Sequence, residues 1–315
     1  MGAEVTYPAL HHLLYCAYRT PDYTNQCKFA LARLVRVAKT STLQRCRVAI
    51  YTDRPADWDG FDFRPLNCNV EPVDPQRFRE WKGPHDFVMR VKLESLRHLA
   101  ARSTGYVLMM DTDTHLRQDP EPLLDGLEAG QVFMHLCEGP ITAGNGFEEW
   151  ERHLVEAGFP SGLSMWNSGL VGVPASGVEG FIEEALELTD RMYARLPRQI
   201  CEQFALSYCL QQRFVLRPAD QFVHHYWGLK DFRRLLRELF SRADMRDSLA
   251  RLADVSDRVL PEAIEAERRR LERQPLRLWR QLTGRRWRIE DYFGLFREIP
   301  TDGSSLSARN TRNNG

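Results

Sequence analysis

The chain has 315 residues, and its 43 basic residues balance its 43 acidic ones, so the formal net charge is zero. This length is enough for one large α/β domain with an appendage, and the neutral balance offers no overall attraction for nucleic acid, which we do not expect as a partner. Seven cysteines without a Cys-x-x-Cys pair argue against a disulfide framework or a zinc ribbon and favour a reducing compartment. No apolar run is long enough to span a membrane, and no basic segment precedes an apolar one at the N-terminus, so a cytoplasmic protein is predicted.

Short apolar runs alternate with helical periodicity through the first half of the chain. Strands are predicted at residues 12–17, 47–51, 69–73, 106–110 and 131–136. The segments between them carry apolar residues at helical spacing, most clearly in residues 29–38 and in the helix that begins at Phe87. Strands and helices that alternate at these intervals predict an α/β fold with a mostly parallel sheet and helices on both of its faces.

The second half of the chain is predicted to be mainly helical. Helices are expected at residues 148–157, 178–196 and 202–211, and an edge strand at residues 214–216. Residues 137–146, with three glycines and a proline, are predicted as a loop over the crevice, and residues 165–173 as a loop that leads into a strand. This pattern predicts a catalytic domain at residues 1–230, a helical region rich in arginine and tryptophan at residues 231–300, and a disordered tail at residues 301–315.

Paired carboxylates follow the most apolar strand. The run Tyr106–Met110 is apolar without alternation, as in a strand buried on both faces, and it ends at Asp111, Thr112 and Asp113. Ligands of open α/β sheets bind beyond the carboxyl ends of the strands, so both carboxylates are expected in a crevice. Residues i and i+2 of an extended segment point the same way, and two oxygen ligands on one side suit a divalent cation that carries a phosphate.

A second chemistry fits the same residues. With Thr114 they complete an Asp-x-Asp-x-Thr motif, in which Asp111 would be a nucleophile and Asp113 its acid–base partner, as in haloacid-dehalogenase-like phosphatases. Such a phosphatase needs a later Gly-Asp-x-x-x-Asp motif, and no Gly-Asp pair follows Asp113. The 110 residues before Asp111 are also enough for a nucleotide-binding half. The metal-binding interpretation is therefore favoured.

Three motifs follow the Asp-Thr-Asp strand in a fixed order. They are WNSGLVGV at residues 166–173, EQFAL at residues 202–206 and HHYWGLK at residues 224–230. Over about residues 13 to 230 this arrangement resembles GT-A-fold glycosyltransferases, and most closely the glycosyltransferase family 8-like group. The resemblance implies a Rossmann-like sheet and metal-dependent transfer of a sugar, of hexosyltransferase type, from a nucleotide-sugar donor, most simply a UDP-sugar, to an acceptor hydroxyl.

The resemblance implies a metal site made of Asp111, Asp113 and His225, with Mn²⁺ or Mg²⁺ as the ion. In the family the histidine belongs to a His-x-x-Gly-x-x-Lys motif whose lysine binds the diphosphate. Gly228 and Lys230 match this motif here, except that the lysine comes one residue early. The neighbouring His224 is an alternative ligand, and Asp111 has a second implied role as a ribose contact.

Further positions are implied to bind the donor. They are Ala17 and Tyr18 for the base and ribose, Asp53 in a similar place, Arg90 and Lys92 for the diphosphate or sugar, and Ser168 and Gly169 beside the sugar. Glycine lets the backbone approach a ligand closely, which suits the Asn-Ser-Gly sequence to a sugar-binding loop. Each motif taken alone also has a structural explanation, such as a turn, a helix cap or a solvated side chain.

Candidate catalytic residues are Glu202, Gln203 and Asn167. Inverting enzymes place a carboxylate base near the position of Glu202, whereas several retaining enzymes have an amide such as Gln203 on the reacting face of the sugar. The family likeness favours retention. A protein that binds nucleotide-sugars without catalysis is the non-enzymatic alternative.

The acceptor is expected to be a glycan, a lipid-linked saccharide or a protein. The arginine- and tryptophan-rich residues between 268 and 288 suit either a helical hairpin that packs on the domain or a helix at the inner membrane surface, where arginines meet anionic headgroups. The second interpretation would make the protein peripheral to the membrane.

Overall fold

The computed structural model of the protein describes residues 10–142, 144, 147–242, 245, 247–272, 278 and 288–296. Its strands are β1 (His11–Cys16), β2 (Cys46–Thr52), β3 (Cys68–Pro72), β4 (Tyr106–Met110), β5 (Thr114–Leu116), β6 (Val132–Pro140), β7 (Ser164–Pro174), β8 (Leu216–Pro218) and β9 (Val223–His225). Its helices are α1 (Pro21–Val37), α2 (Thr40–Gln44), α3 (Pro75–Trp81), α4 (Arg90–Ala100), α5 (Glu121–Glu128), α6 (Glu148–Glu156), α7 (Ala175–Arg195), α8 (Ile200–Gln211), α9 (Phe232–Ser241), α10 (Leu249–Ser256) and α11 (Pro261–Glu272). Short 3-10 helices occupy Pro55–Trp58, Gly83–His85 and Ile289–Phe296.

A seven-stranded sheet in the order β3-β2-β1-β4-β7-β6-β8 forms the centre of the fold. The four strands β3, β2, β1 and β4 are mutually parallel, and β8 is parallel to β6. Strand β7 runs antiparallel to both of its neighbours, β4 and β6. The predicted α/β architecture with a mostly parallel sheet covered by helices is confirmed.

The side chains of β4 are buried on both faces of the sheet, which explains why apolar and polar residues do not alternate in its sequence. Leu108 and Met110 contribute to the hydrophobic core on one face of the sheet, and Val107 and Met109 to the core on the other face. All four are at most 1% exposed, because successive side chains of a strand point to opposite faces and both faces are covered.

Two groups of helices cover the sheet. The core on one face is shared by apolar residues of α4, α7 and α8, and the core on the other by residues of α1, α5, α9 and α10. Helices α9 and α10 both contact α1, and α9 buries Phe232, Leu235, Leu236 and Leu239 in that core. The chain after Asp231 therefore begins as part of the packed structure.

The structure differs from two sequence predictions near the crevice. The predicted loop at residues 137–146 is wrong in its first part, since β6 continues to Pro140 and pairs Cys137 with Trp166 and Gly139 with Met165. The loop predicted to lead into a strand within residues 165–173 is also wrong, because that whole segment belongs to β7. In both segments the antiparallel pairing with a distant strand outweighs local glycine content.

Several predicted features lie outside the described residues. They are residues 143, 145 and 146 of the predicted loop, Arg273, Arg277, Trp279, Arg280, Arg285, Arg286 and Trp287 of the basic region, and the tail at residues 301–315. Among the described helices, none combines the length and the apolar character that crossing a membrane requires.

Candidate metal and donor site

The Asp-Thr-Asp turn after β4 is fixed by backbone hydrogen bonds. The N–H of Asp111 donates to the carbonyl of Gly169 on β7 across 2.9 Å, and the hydroxyl of Thr114 donates to the carbonyl of Asp111 across 2.7 Å. Immediately beyond the turn, β5 pairs antiparallel with β9, so that Thr114 lies opposite His225. A histidine more than one hundred residues away in the sequence is thus brought beside both aspartates.

Asp111, Asp113 and His225 form one cluster. Nε2 of His225 lies 3.3 Å from Oδ1 of Asp113 and 3.8 Å from Oδ2 of Asp111. One ligand atom from each residue lies within 4.8 Å of the other two. Two carboxylates and one imidazole gathered in this way could together hold one divalent cation.

Asn167 determines which nitrogen of His225 carries a proton. Oδ1 of Asn167 accepts the N–H of Gly169 across 2.9 Å and lies 3.0 Å from Nδ1 of His225. Since a carboxamide oxygen can only accept, Nδ1 must donate, and the lone pair of Nε2 in the neutral ring faces the carboxylates. A hydrogen-bond acceptor on the other ring nitrogen is the usual means by which proteins orient a metal-binding histidine.

Gly169 leaves room for the imidazole. A Cβ atom added at this position would lie 2.4 Å from Nδ1 of His225 and 2.9 Å from Oδ1 of Asn167. The backbone of β7 therefore packs directly against the ring, and this position requires glycine for steric reasons.

Burial disfavours the charged forms of both His225 and Asp113, but the attraction between the imidazolium and the carboxylate outweighs this effect. The pKa of His225 is raised, because Asp113 and Asp111 face its ring, and the pKa of Asp113 is lowered by hydrogen bonding to that ring and by its charge. A divalent cation would replace the proton that the pair otherwise shares.

A buried lysine lies beside the cluster. Nζ of Lys92 on α4 lies 2.7 Å from Oδ1 of Asp111, 3.2 Å from Oε1 of Glu202 and 3.5 Å from the hydroxyl of Ser168. Burial works against the charge of Lys92, yet the two carboxylates raise its pKa. Burial also raises the pKa of Glu202, and Lys92 only partly offsets this effect. Lys92 thus links the candidate metal cluster to α8, which carries the candidate catalytic residues.

Glu138 joins the candidate catalytic amides, and sequence reasoning missed it. Its two carboxylate oxygens accept from Nδ2 of Asn167 across 2.8 Å and from Nε2 of Gln203 across 3.0 Å. Glu138 lies in the segment predicted as a loop, where β6 in fact runs alongside β7. Its signal would have been an acidic residue shortly after the apolar run at residues 131–136.

The predicted nucleotide contacts lie at the ends of neighbouring strands. Ala17 is buried and its N–H donates to the carbonyl of Tyr51, next to the end of β2. Tyr18 is 6% exposed, and its hydroxyl lies 2.6 Å from that of Ser95. Asp53 accepts the backbone N–H of Arg19.

Two predicted basic contacts have other surroundings. Arg90 is engaged by Asp190 on α7 at 3.0 Å and by Glu94 at 2.7 Å, so the structure does not bring it into the cluster. Lys230 is exposed and follows the turn that contains Gly228, which is also exposed.

His224 faces away from the cluster. Its Nδ1 accepts from Arg117 across 2.9 Å, and its Nε2 lies 3.2 Å from Glu265 on α11. Adjacent residues of a strand point to opposite sides, so His225 and not its neighbour reaches the aspartates. His115 lies on the same face of the β5–β9 pair as His224, and its Nε2 is 2.8 Å from Glu262 of α11. This contact holds α11 against the β5–β9 pair.

Comparisons with known proteins give structural similarity only. No family model and no curated protein sequence matches the chain. The fold is similar to mouse xyloside xylosyltransferase 1 in its apo form, with 12% sequence identity, 66% of this chain and 84% of that chain covered, and a TM-score of 0.46. It is also similar to the apo form of the glycosyltransferase GlyE of Streptococcus pneumoniae TIGR4, with 10% sequence identity, 66% of this chain and 45% of that chain covered, and a TM-score of 0.42.

Proposed function

We propose that the protein is a metal-dependent glycosyltransferase of the GT-A type, which moves a sugar from a nucleotide diphosphate to an acceptor hydroxyl. The observation that carries this proposal is the cluster of Asp111, Asp113 and His225 beyond the carboxyl end of β4, with Nε2 of the imidazole turned toward both carboxylates. Carboxylates with one imidazole, placed where open α/β sheets bind their ligands, suit a cation that holds a diphosphate.

Asp111, Asp113 and His225 would hold the ion, which supplies Lewis-acid stabilisation of the negative charge on the departing nucleoside diphosphate. We favour Mn²⁺ over Mg²⁺, because an imidazole ligand suits transition metals and Mg²⁺ prefers oxygen ligands and water. Lys92 keeps a positive charge 2.7 Å from Asp111 and would fix the orientation of that carboxylate.

The candidate catalytic residues favour retention of configuration. Glu202 is 3% exposed, ion-paired with Lys92 and hydrogen-bonded by Ser168, so its carboxylate is already engaged and is poorly placed as a general base. Gln203 and Asn167 instead present amides that Glu138 holds in place. In this proposal the acceptor hydroxyl attacks the anomeric carbon through an oxocarbenium-like state beside these amides.

For the donor we favour a UDP-sugar, with the base and ribose near Ala17, Tyr18 and Asp53 and the diphosphate near Lys230. These assignments rest on the resemblance to the glycosyltransferase family 8-like group. The ends of β1 and β2 are next to the end of β4 in the parallel part of the sheet, which supports a nucleotide lying across them.

For the location we favour the cytoplasm, because an odd number of cysteines without a Cys-x-x-Cys pair is typical of a reducing compartment. Attachment to the inner membrane surface, and with it a lipid-linked acceptor, remains a hypothesis drawn from the arginines and tryptophans of the sequence. Co-sedimentation of the full chain with anionic liposomes tests it; equal recovery with neutral and anionic vesicles would contradict it.

The function is tested by a thermal-shift panel of UDP- and GDP-sugars with and without Mn²⁺, followed by an assay of sugar release. We expect one UDP-sugar to raise the melting temperature only with the metal, and Asp113→Ala to abolish that rise and the turnover. Metal-dependent hydrolysis of p-nitrophenyl phosphate without any response to nucleotide-sugars would support the phosphatase alternative. A thermal shift with neither hydrolysis nor transfer would support a non-catalytic binding protein.

A further inference from the structure

A tight turn follows the candidate metal ligand His225. The N–H of Leu229 donates to the carbonyl of Tyr226 across 2.8 Å, so Trp227 and Gly228 form the tip of this turn. Both ends of the turn are anchored, since Tyr226 and Leu229 are each 1% exposed. We refer to residues 226–229 as the Trp227 turn.

The Trp227 turn is attached to the metal cluster. The N–H of Tyr226 donates to the carbonyl of Asp113 across 3.0 Å. On the other side, the guanidinium of Arg268 on α11 donates to the carbonyl of Gly228 across 3.3 Å. Consecutive Cα atoms are about 3.8 Å apart, so the Cα of Trp227 lies within about 7.6 Å of that of His225.

The indole of Trp227 is left in solvent at this position. Its exposed fraction is 62%, whereas Trp58, Trp81 and Trp150 are each less than 9% exposed. A large aromatic side chain contributes far more to stability when it is buried, so the exposed indole adds little to the fold and its face is available to a ligand. The hydrogen bonds of the turn fix its backbone, which lowers the conformational entropy that a ligand would have to remove on binding.

We propose that Trp227 is the stacking surface of the acceptor site and that the acceptor is a saccharide whose ring packs on the indole. This inference rests on the proposed function and narrows its acceptor to a carbohydrate. A pyranose ring offers a face of C–H groups that matches a flat aromatic ring, while its hydroxyls stay available to polar groups.

The acceptor fits this position better than the donor nucleotide does. In the proposed function the nucleotide lies across the ends of β1, β2 and β4, which belong to the seven-stranded sheet. The Trp227 turn instead follows β9, which pairs with β5 in a separate two-stranded sheet. The backbone of the Trp227 turn is therefore bonded to the candidate metal cluster, but the turn does not belong to the strands that would hold the base.

The experiment measures saccharide binding by the full chain on a printed array of mono- to hexasaccharides, with UDP and Mn²⁺ present. The best saccharide is then titrated against Trp227→Ala, Trp227→Phe and Val215→Ala. Val215 is a matched control, because it is 80% exposed and precedes β8 at the far edge of the sheet. We expect Trp227→Ala to weaken saccharide binding about tenfold, Trp227→Phe to recover most of it, and Val215→Ala to leave it at the wild-type value.

Three results would overturn the inference. The first is that Trp227→Ala binds the saccharide as tightly as the wild type does. The second is a tenfold loss of UDP affinity in that variant, which would place the base on the indole. The third is that the wild-type chain binds no saccharide. Failure of the proposed function gives a different pattern. In that case UDP binding by the wild type would not depend on Mn²⁺ or on Asp113, whatever Trp227→Ala does to saccharide binding.

Discussion

Nδ1 of His225 donates a hydrogen bond to Oδ1 of Asn167 across 3.0 Å, and this single contact determines which nitrogen the imidazole presents to Asp111 and Asp113. The Asn-Ser-Gly sequence therefore has a role besides any contact with a sugar. Asn167 orients the ring, and Gly169 provides the space that the ring occupies. The candidate metal cluster and the candidate sugar-binding residues thus form one connected network.

Asn167→Ala removes the acceptor of the Nδ1 proton. We expect Mn²⁺ affinity to fall by about 10–100-fold, as is typical when the partner of a metal-binding histidine is lost. Isothermal titration with Mn²⁺ alone measures this without any assumption about turnover. Asn67→Ala, at an exposed position before β3, is the matched control. Equal affinities of the two variants would show that His225 does not depend on Asn167.

Gly169→Ala tests the packing of the ring. The new Cβ would lie 2.4 Å from Nδ1 of His225, so the imidazole must move away from the carboxylates. We expect at least a tenfold loss of Mn²⁺ affinity with the fold retained by circular dichroism. Gly180→Ala on α7 is the control, because its Cβ would meet nothing within 4 Å and alanine favours a helix. Unchanged metal binding in Gly169→Ala would mean that the backbone of β7 yields instead of the ring.

The parallel part of the fold could be predicted from sequence, whereas the details of the site could not. The apolar run at β4 determined the strand and the place of Asp111 and Asp113, because burial on both faces leaves a local pattern. Strand β7 contains Asn167 and Gly169 in a segment that locally favours a turn. Its strand conformation comes from pairing with β4 and β6, which are far away in the sequence.

The roles of Glu138 and His224 could not be predicted from local sequence either. The carboxylate of Glu138 meets Asn167 and Gln203 only after β6, β7 and α8 have packed together. The choice of His225 over His224 depends on the register of β9 against β5, since a shift by one residue would exchange their directions. Local sequence carries neither piece of information.

Lys92→Met tests the buried charge network. Lys92 has a buried side chain between Asp111 and Glu202, so its removal leaves two carboxylates close together without a counter-charge. We expect the free energy of unfolding in metal-free buffer to fall by about 3–5 kcal/mol, and the double variant Lys92→Met with Glu202→Gln to recover part of it. Denaturation by urea measures both values. Lys39→Met removes an exposed lysine and serves as the control; a similar effect of both single variants would contradict the network.

Glu262→Gln tests how α11 is held against the β5–β9 pair. Although burial works against it, the hydrogen bond from His115 at 2.8 Å and the charge of that ring lower the pKa of Glu262 from its ordinary value to about 2. His224 and Arg117 also face this carboxylate. A carboxyl whose pKa is lower in the folded state stabilises the fold above its unfolded-state pKa, and this contribution is lost as the pH falls through the folded-state value.

We therefore expect Glu262→Gln to be less stable than the wild type by about 3 kcal/mol near pH 5.5, with the difference shrinking between about pH 4.5 and about pH 2. Urea denaturation at a series of pH values measures the two curves. Glu238→Gln, at an exposed position of α9, should follow the wild type throughout. If the curves of Glu262→Gln and the wild type stay parallel down to about pH 2, the ion pair with His115 does not hold α11 in place.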